Sequence, residues 1–481
     1  MNVRFNSDTS IDDKAVSFLA DPLAFFERSF EKTHCALSRQ ELEEIQLAAM
    51  QQRFHALRDS VPMLKKLADE EGVDELKNLD DVVPLLFGHT IYKSYPSFLI
   101  DKKQFGQLTR WLNKLTTVDL SDVDVSGCDG IDSWIDTLDQ QTDLRVCHSS
   151  GTTGTVSFLP PTEQETRKNF LIGFFYQFAS AGVEPPREGH SLDMHIVNLG
   201  YRSGKRANLR SKDYAAEYIA GSEDRVHSLI PGSQSADLLY LAAKLQAAAA
   251  KGELDRLKID PVLLARKAEF DQQQKDAAQR MGEFLDVILD KVRGERVYFP
   301  ATPPQFWEFI ERGRAKGLQD GVFSSESMCM SGGGNKGGYA PPDWEEHAKR
   351  FLGVSGLSAM YGMTEVTARN MLCSEGRYHI APTAILYVLD PDTSEPLPRK
   401  GVQTGRAAFY DLESYTYWGG FITGDEVTVD WDTQCPCGQK SAHLARQIER
   451  FSVARGGDDK ISCAAAPEAH ETALNFLNQF S

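Results

Sequence analysis

The sequence has no long apolar run. Its most apolar stretch, Leu238 to Ala250, is too short to cross a bilayer and carries Lys244 inside it, so no membrane span is expected. The N-terminus, Met1 to Asp13, lacks the apolar core of an export signal, and a cytoplasmic location is the expectation. Positive charge is also in short supply. The chain carries 52 Lys and Arg against 69 Asp and Glu, a formal net charge of −17. That balance argues against a nucleic acid or an anionic membrane as partner, while a local basic pocket for phosphates stays compatible with it. Cysteine is sparse and scattered, at 35, 128, 147, 329, 373, 435, 437 and 463. In a chain of this length without an export signal these read as free thiols rather than a disulfide framework. Only Cys435-Pro436-Cys437-Gly438 brings two close together in sequence. One Cys-x-Cys lacks the second pair that a structural zinc site needs. His443 is the nearest candidate for a third ligand, and a tight connection is the simpler reading. Internal repeats and low-complexity tracts are missing too.

What is present is an ordinary globular composition, 41% hydrophobic and 25% charged, over 481 residues. That length buries a large core and predicts two or three domains or subdomains. Residues 14 to 80 are rich in helix formers with apolar spacing near 3.6, as in Leu42, Ile45, Leu47 and Ala48. Val82 to Phe87 reads as a buried strand entering Gly88-His89-Thr90. Residues 117 to 143, acidic and turn-rich, read as a loop region. Thr162 and Glu165 form a capping box for a helix through Phe170, Phe174, Phe175 and Phe178 that stops near Gly182. Core packing is the first reading of these phenylalanines and an acyl pocket the second. His195 to Gly200, Val297 to Pro300 and Ser327 to Met330 read as strands. Asp260-Pro261 starts a long helix ending near Gly294, and Pro303-Pro304 opens another. Strands alternating with helices predict parallel βαβ units.

Three segments carry the chemistry. His148-Ser149-Ser150-Gly151-Thr152-Thr153-Gly154-Thr155 follows a short strand-like run. Its glycines let the backbone approach a ligand closely, and its amides and hydroxyls suit phosphate oxygens. Tyr361-Gly362-Met363-Thr364-Glu365 and Phe421-Ile422-Thr423-Gly424-Asp425 follow in order. Each alone is an ordinary turn or strand end; together, at this spacing, they resemble the adenylate-forming superfamily of acyl-CoA synthetases, luciferases and peptide-synthetase adenylation domains. The resemblance spans roughly residues 140 to 463. Ser331-Gly332-Gly333-Gly334-Asn335-Lys336 is similar to the acyl-protein synthetases of bacterial luminescence, and the Cys-x-Cys-Gly turn to phenylacetate-CoA-ligase-like enzymes.

The resemblance implies an α/β adenylate-forming fold with mostly parallel sheets flanked by helices, a large N-terminal body and a truncated C-terminal domain. Residues 1–115 would form the N-terminal part of the large domain, 116–445 the core AMP-binding domain, and 446–481 a hinge and shortened C-terminal segment. It also implies roles. Ser149, Ser150, Gly151, Thr152, Thr153 and Gly154 would hold the β- and γ-phosphates of ATP. Gly332, Gly333 and Gly334 would let adenine or an acyl-adenylate lie against the backbone, with Lys336 as the nearest cation. Thr364 would bond the α-phosphate, Glu365 would hold Mg²⁺, Tyr361 would stack near adenine, and Asp425 would accept from the ribose hydroxyls. Arg450 or Arg455 would contact the ribose, and spacing does not choose between them. Cys463 is a candidate acyl-accepting thiol, a structural cysteine being the alternative.

Two departures stand out. Relatives often place a lysine shortly after the phosphate loop; here Ser157 stands there. Relatives also carry a lysine in the C-terminal domain; none follows Lys460 here, so Lys336, Lys460 or another subunit would substitute. Arg202, Lys205, Arg206 and Arg210 form a short basic cluster, either a solvated loop or a contact for CoA or ATP phosphate. The expected activity is ATP-dependent conversion of a fatty or aryl carboxylic acid to an acyl-adenylate, then transfer to a thiol in the manner of an acyl-protein synthetase. Possible partners on this reading are an acyl-carrier protein or an acyl-reductase. An acyl-CoA ligase using CoA is the second reading, and a non-catalytic nucleotide- or acyl-binding scaffold subunit the third.

Overall fold

The structure is a computed structural model, and it describes residues 9–31, 34–35, 37–149, 156–252, 267–332, 338–355 and 357–451. The strands, in chain order, are β1 (Phe30–Glu31), β2 (His34–Cys35), β3 (Cys147–His148), β4 (Phe158–Leu159), β5 (His195–Gly204), β6 (Val226–Gln234), β7 (Val297–Ala301), β8 (Met328–Ser331), β9 (Ser358–Met363), β10 (Val366–Leu372), β11 (Tyr378–His379), β12 (Ala384–Leu389), β13 (Val402–Asp411), β14 (Gly420–Asp430), β15 (His443–Leu444) and β16 (Glu449–Arg450). Twelve of them form one sheet in the order β12-β13-β14-β15-β11-β10-β9-β8-β7-β5-β6, with β16 paired to β14.

That sheet has two characters. From β6 to β9 every neighbouring pair is parallel. From β9 to β12 every pair is antiparallel. The fold class is the expected α/β one. Parallel order holds in the half whose strands alternate with helices, and hairpins build the other half, where the strands follow one another at short range.

In the parallel half, the period-two pleat sorts side chains between two helical layers. Val197, Val297, Phe299 and Cys329 face the helices Pro303–Ala315 and Trp344–Leu352, whose Phe309 and Phe351 close that core. Ile196, Tyr298 and Met328 face the other way, onto Phe174 and Phe178 of the helix Glu163–Ser180. Thr162 and Glu165 form the expected capping box there, and the helix runs to Ser180. Phe174, Phe175 and Phe178 are buried, as the core reading requires. Gly173 lies under Arg369; a Cβ at that position would sit 2.3 Å from the guanidinium Nε. The guanidinium rests between the rings of Phe170 and Phe174, 5.6 and 5.0 Å from their centroids.

The antiparallel half shares its core with the N-terminal helices. β12 reads Ala-Ile-Leu-Tyr-Val-Leu and is buried along its whole length, as a strand covered on both faces must be. The helix Arg39–Leu57 covers it, with Gln46 Nε2 donating to Pro382 O (2.8 Å) and Ala384 O (3.2 Å). Trp418, fully buried, packs edge-on to Phe54 and Tyr410 and donates to Leu85 O at 2.8 Å. Among the described residues no helix is long and apolar enough to cross a membrane.

Two local expectations fail. Val82 to Phe87 is not a strand: Leu79–Leu85 is a 3₁₀ helix closed by an Asn78–Asp81 capping box. Pro84 has no N–H for a ladder, and only Phe87 bridges the sheet, at Phe421. The loop expected over 117–143 ends in a helix, Ile131–Gln141, whose Ile131, Trp134, Ile135 and Leu138 are all buried. Those positions follow i, i+3, i+4, i+7, a helical stripe hidden behind the acidic residues around it.

Candidate active site

The base of the Ser/Thr/Gly loop is well defined. β3 and β4 pair antiparallel on either side of it. Ser149 N–H donates to Ser157 O and Ser157 N–H donates to Ser149 Oγ, both at 3.0 Å. The entering strand is tied to the end of β5 by His148 N–H to Lys205 O (3.2 Å). Arg210 anchors it from below, donating to Val146 O at 2.7 Å and to Asp139 at 2.7 Å. His148 is buried, its Nδ1 is 2.8 Å from Ser149 O, and burial pushes its imidazole down to about 4. Ser150, Gly151, Thr152, Thr153 and Gly154 lie outside the described residues, as do Gly333, Gly334, Lys336, Lys460, Arg455 and Cys463.

Three of the four cations in the basic cluster beside this loop are paired with acids. Arg202 pairs with Asp213 and Glu223, Lys205 with Asp136 and Asp139, and Arg210 with Asp139. These charges brace the loop's foundations, a third role beside the two the sequence offered.

Gly332 follows β8 directly, and its N–H donates to Ala301 O at 3.3 Å, at the end of β7. β9 ends at Met363, and Thr364-Glu365 make the two-residue turn into β10, where Met363 pairs with Val366. Gly332, the Thr364-Glu365 turn and the loop base at Lys205 therefore share one edge, the C-terminal edge of the parallel strands. In open α/β sheets that edge is where ligands bind.

At that edge Glu365 is partly exposed yet closely surrounded. Desolvation raises its carboxyl above the ordinary range, opposed by the charges of Lys93 and Arg450 and by a hydrogen bond from the Ser157 hydroxyl. The same Arg450 lies across from Asp425, its Nη1 3.2 Å from Oδ1, because β16 pairs with β14 in that register. The other oxygen, Oδ2, accepts the Tyr361 hydroxyl at 2.9 Å. Burial, then the charge of Asp425, drives the Tyr361 phenol well above its usual range, so it stays a donor. Its ring sits 6.1 Å from Phe409 and 6.2 Å from Tyr378. Arg450, Asp425 and Tyr361 thus form one bonded set, and Ser149 and Ser157 another at the loop base. Of the two arginines left open by spacing, Arg450 lies beside Asp425, and Arg455 is outside the described residues.

Beneath the turn is a buried acidic layer. Asp411 Oδ2 accepts from Thr367 N (2.6 Å), Thr367 Oγ1 (2.7 Å) and Ala368 N (3.3 Å), which fixes the start of β10 two residues after Glu365. Glu413, pushed up to about 8 by burial and then by Asp411, lies alongside. Glu165, fully buried, accepts from Tyr415 N at 2.6 Å, from Thr416 N and Thr162 N at 3.3 Å, and from the Thr416 hydroxyl. These acids hold the scaffold.

Sequence reasoning missed Lys93 as a neighbour of Glu365. Nothing in the sequence around Lys93 ties it to the Thr364-Glu365 turn. It also missed Cys373 and His379, which the fold brings to Cys435 and Cys437, whereas His443 faces the Arg377 guanidinium and is not in that group.

No family model and no curated protein matches the chain. Solved structures do. An open conformation of 2-hydroxyisobutyryl-CoA ligase, in complex with 2-HIB-AMP and CoA, aligns at a TM-score of 0.50 and 14% identity. The match covers 86% of this chain and 76% of that one. The same ligase in its thioesterification state, again with 2-HIB-AMP and CoA, gives 0.51 and 16%, over 86% and 69%. At such identity the likeness is one of fold.

Proposed function

Because the chain has the fold of the adenylate-forming enzymes, we propose that it activates a carboxylic acid with ATP and passes the acyl group to a thiol. In the first half-reaction a carboxylate oxygen bonds to the α-phosphorus of ATP while the bond to pyrophosphate breaks. In the second, a thiolate attacks the acyl carbon and AMP leaves with the electron pair. The observation that carries the proposal is that the loop base, Gly332 and the Thr364-Glu365 turn share the C-terminal edge of the parallel strands, with Asp425 held by Tyr361 and Arg450.

Each residue has work in that reaction. Asp425 keeps lone pairs for the ribose hydroxyls while Tyr361 and Arg450 hold its orientation. Thr364, at the tip of the hairpin, donates to the α-phosphate. Ser149, Ser150, Gly151, Thr152, Thr153 and Gly154 cradle the outer phosphates, and Gly332, Gly333 and Gly334 leave room for the flat face of adenine. Lys336, Arg455 and Cys463 complete the proposed set. Lys93 supplies a cation where Ser157 replaces the lysine of relatives, partly offsetting the phosphate charge. Mg²⁺, when bound with the nucleotide, neutralises phosphate charge. Glu365 would hold it, and the fit is to a nucleotide-borne ion: with Lys93 and Arg450 already acting on this one carboxylate, a bare cation is repelled and the phosphates must supply the remaining oxygens.

For the acceptor, CoA fits the fold neighbour solved with CoA; delivery to Cys463 and onward to a carrier or reductase partner is the acyl-protein synthetase variant. Residues 1–115 and 116–445 act as one body, with 446–481 as the hinge and tail. The test is acid-dependent ATP–pyrophosphate exchange across fatty and aryl acids. Exchange with at least one acid is expected. Its absence with every acid and every added thiol acceptor would instead favour a binding subunit. Acyl-CoA formation by Cys463→Ser at wild-type rate selects CoA; an acyl mass adduct lost in that variant selects the tail thiol.

A further inference from the structure

Four soft ligands meet at the end of β10 away from the hairpin turn. Cys373, His379, Cys435 and Cys437 bring three Sγ atoms and one imidazole nitrogen within 4.8 Å of one another. Cys373 Sγ lies 3.8 Å from Cys435 Sγ, and Cys437 Sγ lies 3.3 Å from His379 Nε2. We propose that these residues bind one zinc ion in a closed Cys₃His site that staples the sheet beneath the nucleotide pocket.

The distances fit an ion better than its alternatives. Zn–S bonds of about 2.3 Å and a Zn–N bond of about 2.0 Å at tetrahedral angles set the donors about 3.8 Å apart for two sulfurs and about 3.5 Å for sulfur and nitrogen. A disulfide needs about 2.05 Å, roughly half the separation between Cys373 and Cys435. A two-iron cluster divides its donors between two metals and would spread them further than one ion does.

The scaffold is built from two turns. Cys373 and His379 bracket the Gly376 turn from β10 to β11, closed by Cys373 N–H to Arg377 O at 2.9 Å and by Gly376 at φ +69°. Cys435 and Cys437 lie in the loop from β14 to β15, where Gly438 takes φ +94° and its N–H donates to Cys435 O at 2.9 Å. Pairing of β11 with β15, His379 opposite His443, sets the two turns side by side. His379 Nδ1 lies 3.0 Å from Ser441 Oγ. Donating there fixes the tautomer that leaves Nε2 as the ligand atom, the usual outer partner of a metal-bound histidine. Cys435 and His379 are buried and four protein donors fill a tetrahedron, so the site has no open position for substrate and is structural.

The consequence concerns the pocket above. β11 and β15 are only two residues long each, yet they lie between β10, which follows Glu365, and β14, which carries Asp425. The ion would hold that short span together and with it the distance between the two carboxylates.

The experiment is metal analysis of the full chain purified from zinc-supplemented medium, then cobalt substitution of the stripped protein. One zinc per chain is expected, released in step with titration of three thiols by a mercurial, and a cobalt spectrum with thiolate charge-transfer and tetrahedral bands. Cys128→Ser should keep the metal, His379→Ala should lose it, and His379→Cys should retain it by restoring four donors. Because the cobalt spectrum and zinc release are read on the wild-type chain, misfolding of a variant cannot hide the result. A folded wild-type chain with no zinc and no cobalt spectrum, or with Cys373 and Cys435 joined as a disulfide, overturns the proposal.

Discussion

Replacing Tyr361 with Phe tests the ribose seat at a single atom. The ring keeps its place between Phe409 and Tyr378, and only the hydroxyl that donates to Asp425 Oδ2 at 2.9 Å is lost. A hydrogen bond to a charged acceptor is worth about 1.5–3 kcal/mol, and the Asp425 side chain is only 14% exposed, so water replaces the donor poorly. Arg450 still restrains the other oxygen. The expected result is a rise in the ATP dissociation constant of about tenfold, which corresponds to about 1.4 kcal/mol. The clean assay is a double-mutant cycle with Asp425→Ala, read by equilibrium ATP binding. If the hydroxyl acts through Asp425, Tyr361→Phe costs nothing further once Asp425 is gone, and the coupling energy equals the single-mutant loss. Additive effects within about 0.5 kcal/mol would refute the reasoning, since the two residues would then act independently.

Other perturbations have signed outcomes. Glu165 has its carboxyl pushed up from 4.5 to about 7 by burial. The folded state therefore binds that proton more tightly than the unfolded chain, and the stability it gains at low pH is lost as pH rises from about 4.5 through 7. At roughly 1.4 kcal/mol per pKa unit, the stability difference between wild type and Glu165→Gln should fall by about 3 kcal/mol between acid and mild alkali, measured by urea unfolding; a pH-independent difference contradicts the assignment. Lys93→Ala and Ser157→Ala each remove a group that favours ionised Glu365. The acid limb of the pH–activity profile should move to higher pH in both, and an unmoved limb argues that Glu365 is not the titrating group. Arg210→Met leaves Asp139 and Val146 O without their shared partner, and breaking such a buried pair costs about 3–5 kcal/mol. A loss below about 1 kcal/mol in chemical denaturation would show that the loop's foundation lies elsewhere.

Much of the site was legible because it is local in sequence. Tyr361 to Glu365 is one hairpin, Thr423 to Asp425 one stretch of β14, and the capping box at Thr162 and Glu165 announces its helix. What was hidden depends on register between distant strands. Arg450 reaches Asp425 only because β16 folds back onto β14, and nothing in the spacing distinguishes it from Arg455. Cys373 and Cys435 are 62 residues apart, so no motif reading unites them. The failed strand at Val82 to Phe87 shows a different limit. An apolar run fits a strand or a 3₁₀ helix equally well, and Pro84 with the Asn78 cap decided it. The Ile131–Gln141 helix was missed because turn-forming acids outnumbered its four-residue apolar stripe.

The most direct measurement of the central claim is equilibrium binding of AMP and of ATP with Mg²⁺ to wild type, Asp425→Asn and Glu365→Gln. The account predicts that wild type binds both nucleotides, that Asp425→Asn weakens both alike by about tenfold or more, and that Glu365→Gln weakens ATP with Mg²⁺ while leaving AMP unchanged. Equal binding by all three proteins, or no nucleotide bound by the wild-type chain, would contradict it.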